Sequence, residues 1–180
     1  GLPLALGSYE LLPLWHALFS SLGFNVEVSS MSTKRTYEKG QFSIPSDTAC
    51  YPAKIMHGHI ETLMEQGVDA VFYPALTRNV DERVSDNHYN CPVVAYYSEV
   101  LRNNMDTLAN AKFLYPYLNI NSEKELSAEL LTFFNKKLGG FNKSEIRAAV
   151  RAAGKAYARH MAAIREEGAR ALRFAKEEGK

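Results

Sequence analysis

The run Cys50-Tyr51-Pro52-Ala53-Lys54-Ile55-Met56-His57-Gly58-His59-Ile60-Glu61-Thr62-Leu63-Met64-Glu65-Gln66-Gly67-Val68-Asp69-Ala70-Val71-Phe72-Tyr73-Pro74 holds a helix and a strand back to back. Pro52 suits a first helical turn, where its missing N–H costs little. Ile55, Met56, Ile60, Leu63 and Met64 then form one apolar stripe, which Gly67 stops. From Val68 to Pro74 the chain is mostly apolar, as a strand covered on both faces is.

The same alternation extends in both directions. Upstream, Leu2–Leu6 reads as a strand. Tyr9–Leu22 reads as a helix with Leu11, Leu12, Trp15, Leu18, Phe19 and Leu22 at helical spacing, and Phe24–Val28 as a half-buried strand, which together make a β-α-β unit. Ser32–Lys39 is a short helix ended by Gly40, and Ile44-Pro45-Ser46-Asp47 is a turn. Downstream, a polar loop over Thr77–Asn90 leads to an expected strand at Cys91–Tyr97, with Ser98 and Glu99 opening a short helix. Phe113–Leu118 is the last expected strand. Ser122–Leu138 is a helix with a Ser122/Glu125 capping-box pattern, ended by Gly139-Gly140.

Strands alternating with helices require crossover connections, so the expected fold class is α/β, a mainly parallel sheet with helices on both faces. Ligands of such sheets sit at the carboxyl ends of the strands. Residues 143–180 differ in kind from this domain over 1–142. Ile146, Val150, Ala153, Tyr157, Met161 and Ile164 step by three and four while Arg147, Arg151, Lys155, Arg159 and Arg165 fill the outer face. This C-terminal basic amphipathic helix is expected to dock on the domain or on a neighbour.

A chain of 180 residues, 46% of them hydrophobic, is long enough for one sizeable core. Its net charge of +1 gives no global pull toward nucleic acid or an anionic membrane. The balance is uneven: residues 143–180 carry ten Lys or Arg against five Glu, a net +5, which leaves −4 for residues 1–142. The basic tail has an apolar seam, scattered Glu and no interleaved aromatics, so it reads as the solvated face of a docked helix rather than a nucleic-acid surface. No run approaches the ~20 apolar residues of a bilayer span, and no secretory leader is present, so a cytoplasmic location is expected. Gly1-Leu2-Pro3-Leu4-Ala5-Leu6 reads as a strand entered partway, as in a domain of a larger protein.

Two cysteines make no disulfide framework, and in a reducing compartment such thiols are structural, catalytic or metal-binding. Cys50 falls at a helix start, where free N–H groups and the positive dipole end stabilise a thiolate that can ligate metal; a small buried residue is the bland alternative. Cys91 stands between the polar loop and Pro92, beside His88, which is a candidate ligand or cofactor-orienting group. Lys54, one turn after Cys50, can neutralise an anionic cluster or a phosphate, the alternative being an ordinary solvated lysine. His57 and His59 are two apart and point in different directions on a helix, so they form no two-histidine metal face and are read as packing residues. The Gly-rich dinucleotide fingerprint, the phosphate-binding loop and the Gly-x-Ser-x-Gly elbow are all absent.

The runs Pro45-Ser46-Asp47-Thr48-Ala49-Cys50-Tyr51-Pro52-Ala53-Lys54, His57-Gly58-His59, Val71-Phe72-Tyr73-Pro74 and Asp86-Asn87-His88-Tyr89-Asn90-Cys91-Pro92 resemble a domain of large CoA-substrate-specific enzyme activases. That family is related to the 2-hydroxyacyl-CoA dehydratases. The opening, with Tyr9-Glu10 and Pro13-Leu14-Trp15, fits too, so the likeness covers roughly residues 1–118 and more. It implies an iron–sulfur role: relatives hold a 4Fe–4S cluster through cysteines at strand and helix ends, and an ATP-hydrolysing activator injects one electron for dehydration of an acyl-CoA. On this chain the implied cluster ligands are Cys50 and Cys91. Relatives often carry a further cysteine just after the third strand, where Tyr73-Pro74-Ala75-Leu76 stands here. Two thiolates fall short of the usual four, or three with one open site. The expectation is therefore an electron-transfer or dehydratase-like module completed by other domains of its parent, the alternative being a scaffold that kept the fold and lost the cofactor. Cys50 and Cys91 should then share one sheet edge with Cα atoms within about 10 Å.

Overall fold

The computed structural model describes residues 1–83 and 85–179. Val84, in the loop expected over 77–90, and Lys180, at the end of the expected terminal helix, lie outside the described residues.

A parallel backbone ladder forms the centre. Strand β1 (Ala70–Phe72) pairs with β2 (Lys112–Leu114), Val71 opposite Phe113. Pairing runs on past both strands: Tyr73 N–H donates to the Leu114 carbonyl at 3.0 Å and Ala75 N–H to the Pro116 carbonyl at 2.9 Å. On the other side of β1, Gly1 nitrogen donates to the Ala70 carbonyl at 2.7 Å and the Gly1 carbonyl accepts from Phe72 N–H at 3.0 Å. Leu2 then bridges Val28 in parallel. The order across is Val28, Leu2, β1, β2, and among the described residues only the β1–β2 pair reaches strand length.

The mainly parallel sheet expected from sequence is thus a two-stranded sheet with single-residue bridges beside it. The reason lies in the flanks. Ser29 Oγ captures the Leu4 N–H at 2.8 Å, removing the next ladder donor, and Leu6, at φ 49°, turns the chain into a helix.

Among the described residues, seven α-helices surround the ladder. Gly7–Glu10 (α1) and Leu12–Ser21 (α2) replace the single helix expected over Tyr9–Leu22, because Pro13 lacks the N–H needed for continuity and instead opens α2. Lys34–Gly40 (α3) carries a Thr33/Thr36 capping box. Tyr51–Glu65 (α4) begins where Cys50 and Pro52 indicate. Pro92–Asn104 (α5) follows the polar loop. Glu123–Lys137 (α6) is capped by Ser122, and Lys143–Glu177 (α7) by an Asn142/Glu145 box.

Helix α5 overturns the strand expected at Cys91–Tyr97. Valines 93 and 94 suit a strand, but Pro92 fits a first helical turn and Cys91 Sγ accepts from Val94 N–H at 3.4 Å, which caps a helix. Tyr97, Leu101 and Met105, four apart, then bury a common face. Tertiary burial outweighs the local β preference.

Strand residues alternate between two cores, as the pleat requires. Val71, Tyr73 and Phe113 pack with Ile60 and Leu63 of α4 and Tyr97 and Leu101 of α5. Phe72 and Leu114 pack with Trp15 and Leu18 of α2, Leu130 and Phe134 of α6 and Ile146 of α7. Helices therefore cover both faces. Within this second core Phe72 meets Trp15 edge-on at 5.1 Å and Phe19 at 4.8 Å.

The 35-residue α7 is about 52 Å long, and only its first half docks. Ile146, Ala149, Val150, Ala153 and Tyr157 are buried against α2 and α6, and Met161 is half-buried. Ile164, expected in the docked seam, is 49% exposed, and Leu172 and Phe174 beyond it are more exposed still, because the body of the domain ends before them. Among the described residues, no helix is long and apolar enough to cross a membrane.

Candidate cysteine site at the carboxyl edge

Topology brings the two cysteines to one edge. Helix α4 ends beside the start of β1, so its beginning lies at the carboxyl edge of the sheet. Helix α5 leaves that same edge after β1 to cross over to β2. Cys50 and Cys91 are the N-cap residues of these helices, with nearly identical extended backbones: φ −63°, ψ 153° and φ −61°, ψ 153°. Each is followed by proline within two helical positions. Both cysteines are free and exposed.

At the same edge Tyr73 is the first residue past β1 and only 2% exposed. It belongs to the core that holds Ala53, from the first turn of α4, and against which Ala49 and Val93, neighbours of the two cysteines, pack. Burial pushes the Tyr73 phenol far up, and charge on Tyr97, Cys91 and Cys50 adds to the rise. The Tyr97 phenol is pushed up to about 12, first by burial and then by Cys50. Tyr97 OH lies 3.0 Å from His57 Nε2, and His57 Nδ1 lies 2.7 Å from Ser43 Oγ, which also donates to the Gly40 carbonyl at 3.1 Å. These contacts fit a neutral ring that gives its Nδ1 proton to Ser43 and accepts from Tyr97.

His59 faces elsewhere, with Ser29 and Ser32 hydroxyls each 2.8 Å from its ring nitrogens. Burial lowers both imidazoles to about 4. Gly58 between them lies under the Thr36 carbonyl of α3, where an added Cβ would sit 1.6 Å from that oxygen. The His57-Gly58-His59 motif is therefore a helix-crossing device, in line with the packing role read from its spacing.

Lys54 lies one turn into α4 on the side of Cys50 and is partly exposed. His88 sits in the open loop, its Nε2 3.4 Å from Asp81 Oδ1, in a hollow lined also by Arg83, Ser85 and Asp86. Among the described residues, no group of three or more His, Cys, Asp or Glu gathers where a metal ion could be held. Sequence reasoning did not single out Tyr73 or Tyr97 as site residues. The available signal was an apolar strand ending in Tyr-Pro between two Cys/Pro helix starts.

Each thiol stands at a helix N-terminus, which carries roughly half a positive charge. Fold and site together define an α/β domain that presents a pair of helix-capping thiols. Within that class, the chain belongs to the family described as CoA enzyme activase uncharacterised domain, whose model matches residues 1–180. The family match thus extends beyond residue 118 and through α7. No curated protein and no solved structure matches the chain.

Proposed function

We propose that this domain supplies two thiolates, Cys50 and Cys91, to an iron–sulfur cluster that other parts of an activase-type protein complete. The observation that carries the reading is that Cys50 and Cys91 cap two helices that both begin at the carboxyl edge, where α/β domains bind ligands. The donor set fits half of a cluster site, since thiolates are the usual ligands and two of four are present.

When bound, such a cluster supplies one-electron transfer. The domain's own contribution is placement. Proline-fixed first turns hold both sulfurs at helix N-termini, and Lys54 adds positive charge one turn from Cys50. His88 orients the loop before Cys91 through Asp81. The electron comes from an ATP-hydrolysing activator, because this chain has no phosphate-binding loop, and the acceptor is a CoA-thioester enzyme of the dehydratase type.

Anaerobic reconstitution with iron and sulfide tests this. The isolated chain should load weakly and the full parent protein strongly, with Cys50→Ser or Cys91→Ser each removing most of the colour. Colourless parent protein with both thiols titrating as free would contradict it. The absence of a three-donor group among the described residues favours a second reading, a scaffold without cofactor, which that outcome would leave standing.

A further inference from the structure

We propose that the chain holds one buried water molecule where its two cores meet, bound between the Trp15 indole N–H and the Tyr73 hydroxyl. The inference is independent of the cluster reading.

A buried polar atom nearly always has a partner, because leaving it unpaired forfeits its hydration without return. Trp15 and Tyr73 are 1% and 2% exposed, and among the described residues neither Trp15 Nε1 nor the Tyr73 hydroxyl has a protein partner. The two side chains belong to different cores: Trp15 of α2 packs with Phe72 on one face of the ladder, and Tyr73 packs with α4 and α5 on the other. Both nevertheless wall a single small cavity just past β1. Ser98 and Tyr157, whose hydroxyls are also buried without a partner, do not line it.

Size limits the occupant. The cavity offers about 10 Å³, on the order of the room that one water needs. Chemistry narrows it in the same direction. An indole N–H only donates, so the occupant must accept, and a phenol hydroxyl either donates or accepts. A water accepts from Trp15 and pairs with Tyr73 in either sense, whereas a metal cation has nothing to gain from an N–H donor. Ser8 of α1, 3% exposed, lines the same wall and brings a third polar side chain toward the roughly three partners that a buried water makes. Val94 closes the cavity from α5, and its N–H donates to Cys91 Sγ at 3.4 Å. The water therefore joins α1, α2 and the end of β1 to the first turn of α5, the turn that Cys91 caps.

A crystal structure of the full chain at a resolution that shows ordered solvent should place a water within about 3.2 Å of both Trp15 Nε1 and the Tyr73 hydroxyl. In solution, the chain's one tryptophan gives a single indole proton signal, which should show a nuclear Overhauser effect to water of the sign that marks long residence. Tyr73→Phe keeps the ring and removes one anchor, so it should weaken that effect at Trp15, a residue of the other core. A cavity without ordered solvent in the crystal, or an indole proton with no Overhauser effect to water, would overturn the proposal. An effect unchanged in Tyr73→Phe would overturn the shared site. Should that variant fail to fold, the crystal structure of the unsubstituted chain decides.

Discussion

Acidification from pH 7 to pH 5 should destabilise the domain through His57 and His59, and the size of the effect follows from their burial. Both rings are essentially inaccessible, at 0% and 1% exposure, and each is hydrogen-bonded as a neutral group. Burial lowers both from the ordinary 6.5 to about 4. The unfolded chain therefore binds protons that the folded chain refuses, and stability rises with pH. The contribution is fully present above pH 6.5, drains away as pH falls from 6.5 toward 4, and changes no further below that. Between pH 7 and pH 5 the loss comes to about 1–2 kcal/mol for each imidazole and about 2–4 kcal/mol for the pair. Urea unfolding at the two pH values reads this directly as a shift in midpoint at constant slope. The double variant His57→Asn, His59→Asn should start lower at pH 7 and show a flatter profile. A stability that is level or higher at pH 5, or folded-state imidazoles titrating near 6.5 by NMR, would refute the reasoning. Because His57 bonds Tyr97, the same protonation should loosen α4 from α5 at the cysteine site.

Other consequences are equally direct. Gly58→Ala drives a methyl into the Thr36 carbonyl, a backbone atom that cannot yield alone, so α3 must lift from α4; a loss of at least about 3 kcal/mol is expected in denaturant melts. Ile146→Ala, at a fully buried position of α7, should cost about 2–5 kcal/mol, whereas deleting residues 162–180 should leave the melting temperature nearly unchanged, which scanning calorimetry on both proteins compares. Cys91→Ser keeps a capping side chain and should move apoprotein stability by less than about 1 kcal/mol, so that any loss of iron binding reflects ligation and not unfolding.

The parts of the fold legible in sequence were those where local and global demands agree. Helix α4 announced itself by Pro52 and a clean apolar stripe, β1 by a run covered on both sides, and α6 by Ser122 and its N-terminal acids. Helix α5 was misread because Val93 and Val94 favour a strand while the determining features, the cap at Cys91 and the burial of Tyr97 and Leu101, are tertiary. The outer strands shrank to bridges for a similar reason: one serine hydroxyl, Ser29, displaces a ladder bond that no pattern of hydrophobicity encodes. At the site, the helix-start position of Cys50 was readable, whereas Cys91 was assigned to a strand mouth and proves to be its counterpart on a second helix.

The central claim is that two N-cap cysteines act together as ligands of one cluster. Iron and sulfide content of the anaerobically purified parent protein, set beside its Cys50→Ser and Cys91→Ser variants, tests it most directly. The account predicts bound iron that falls sharply in both variants while their folded stability holds. Iron that is absent from the parent, or retained in full by either variant, would contradict it.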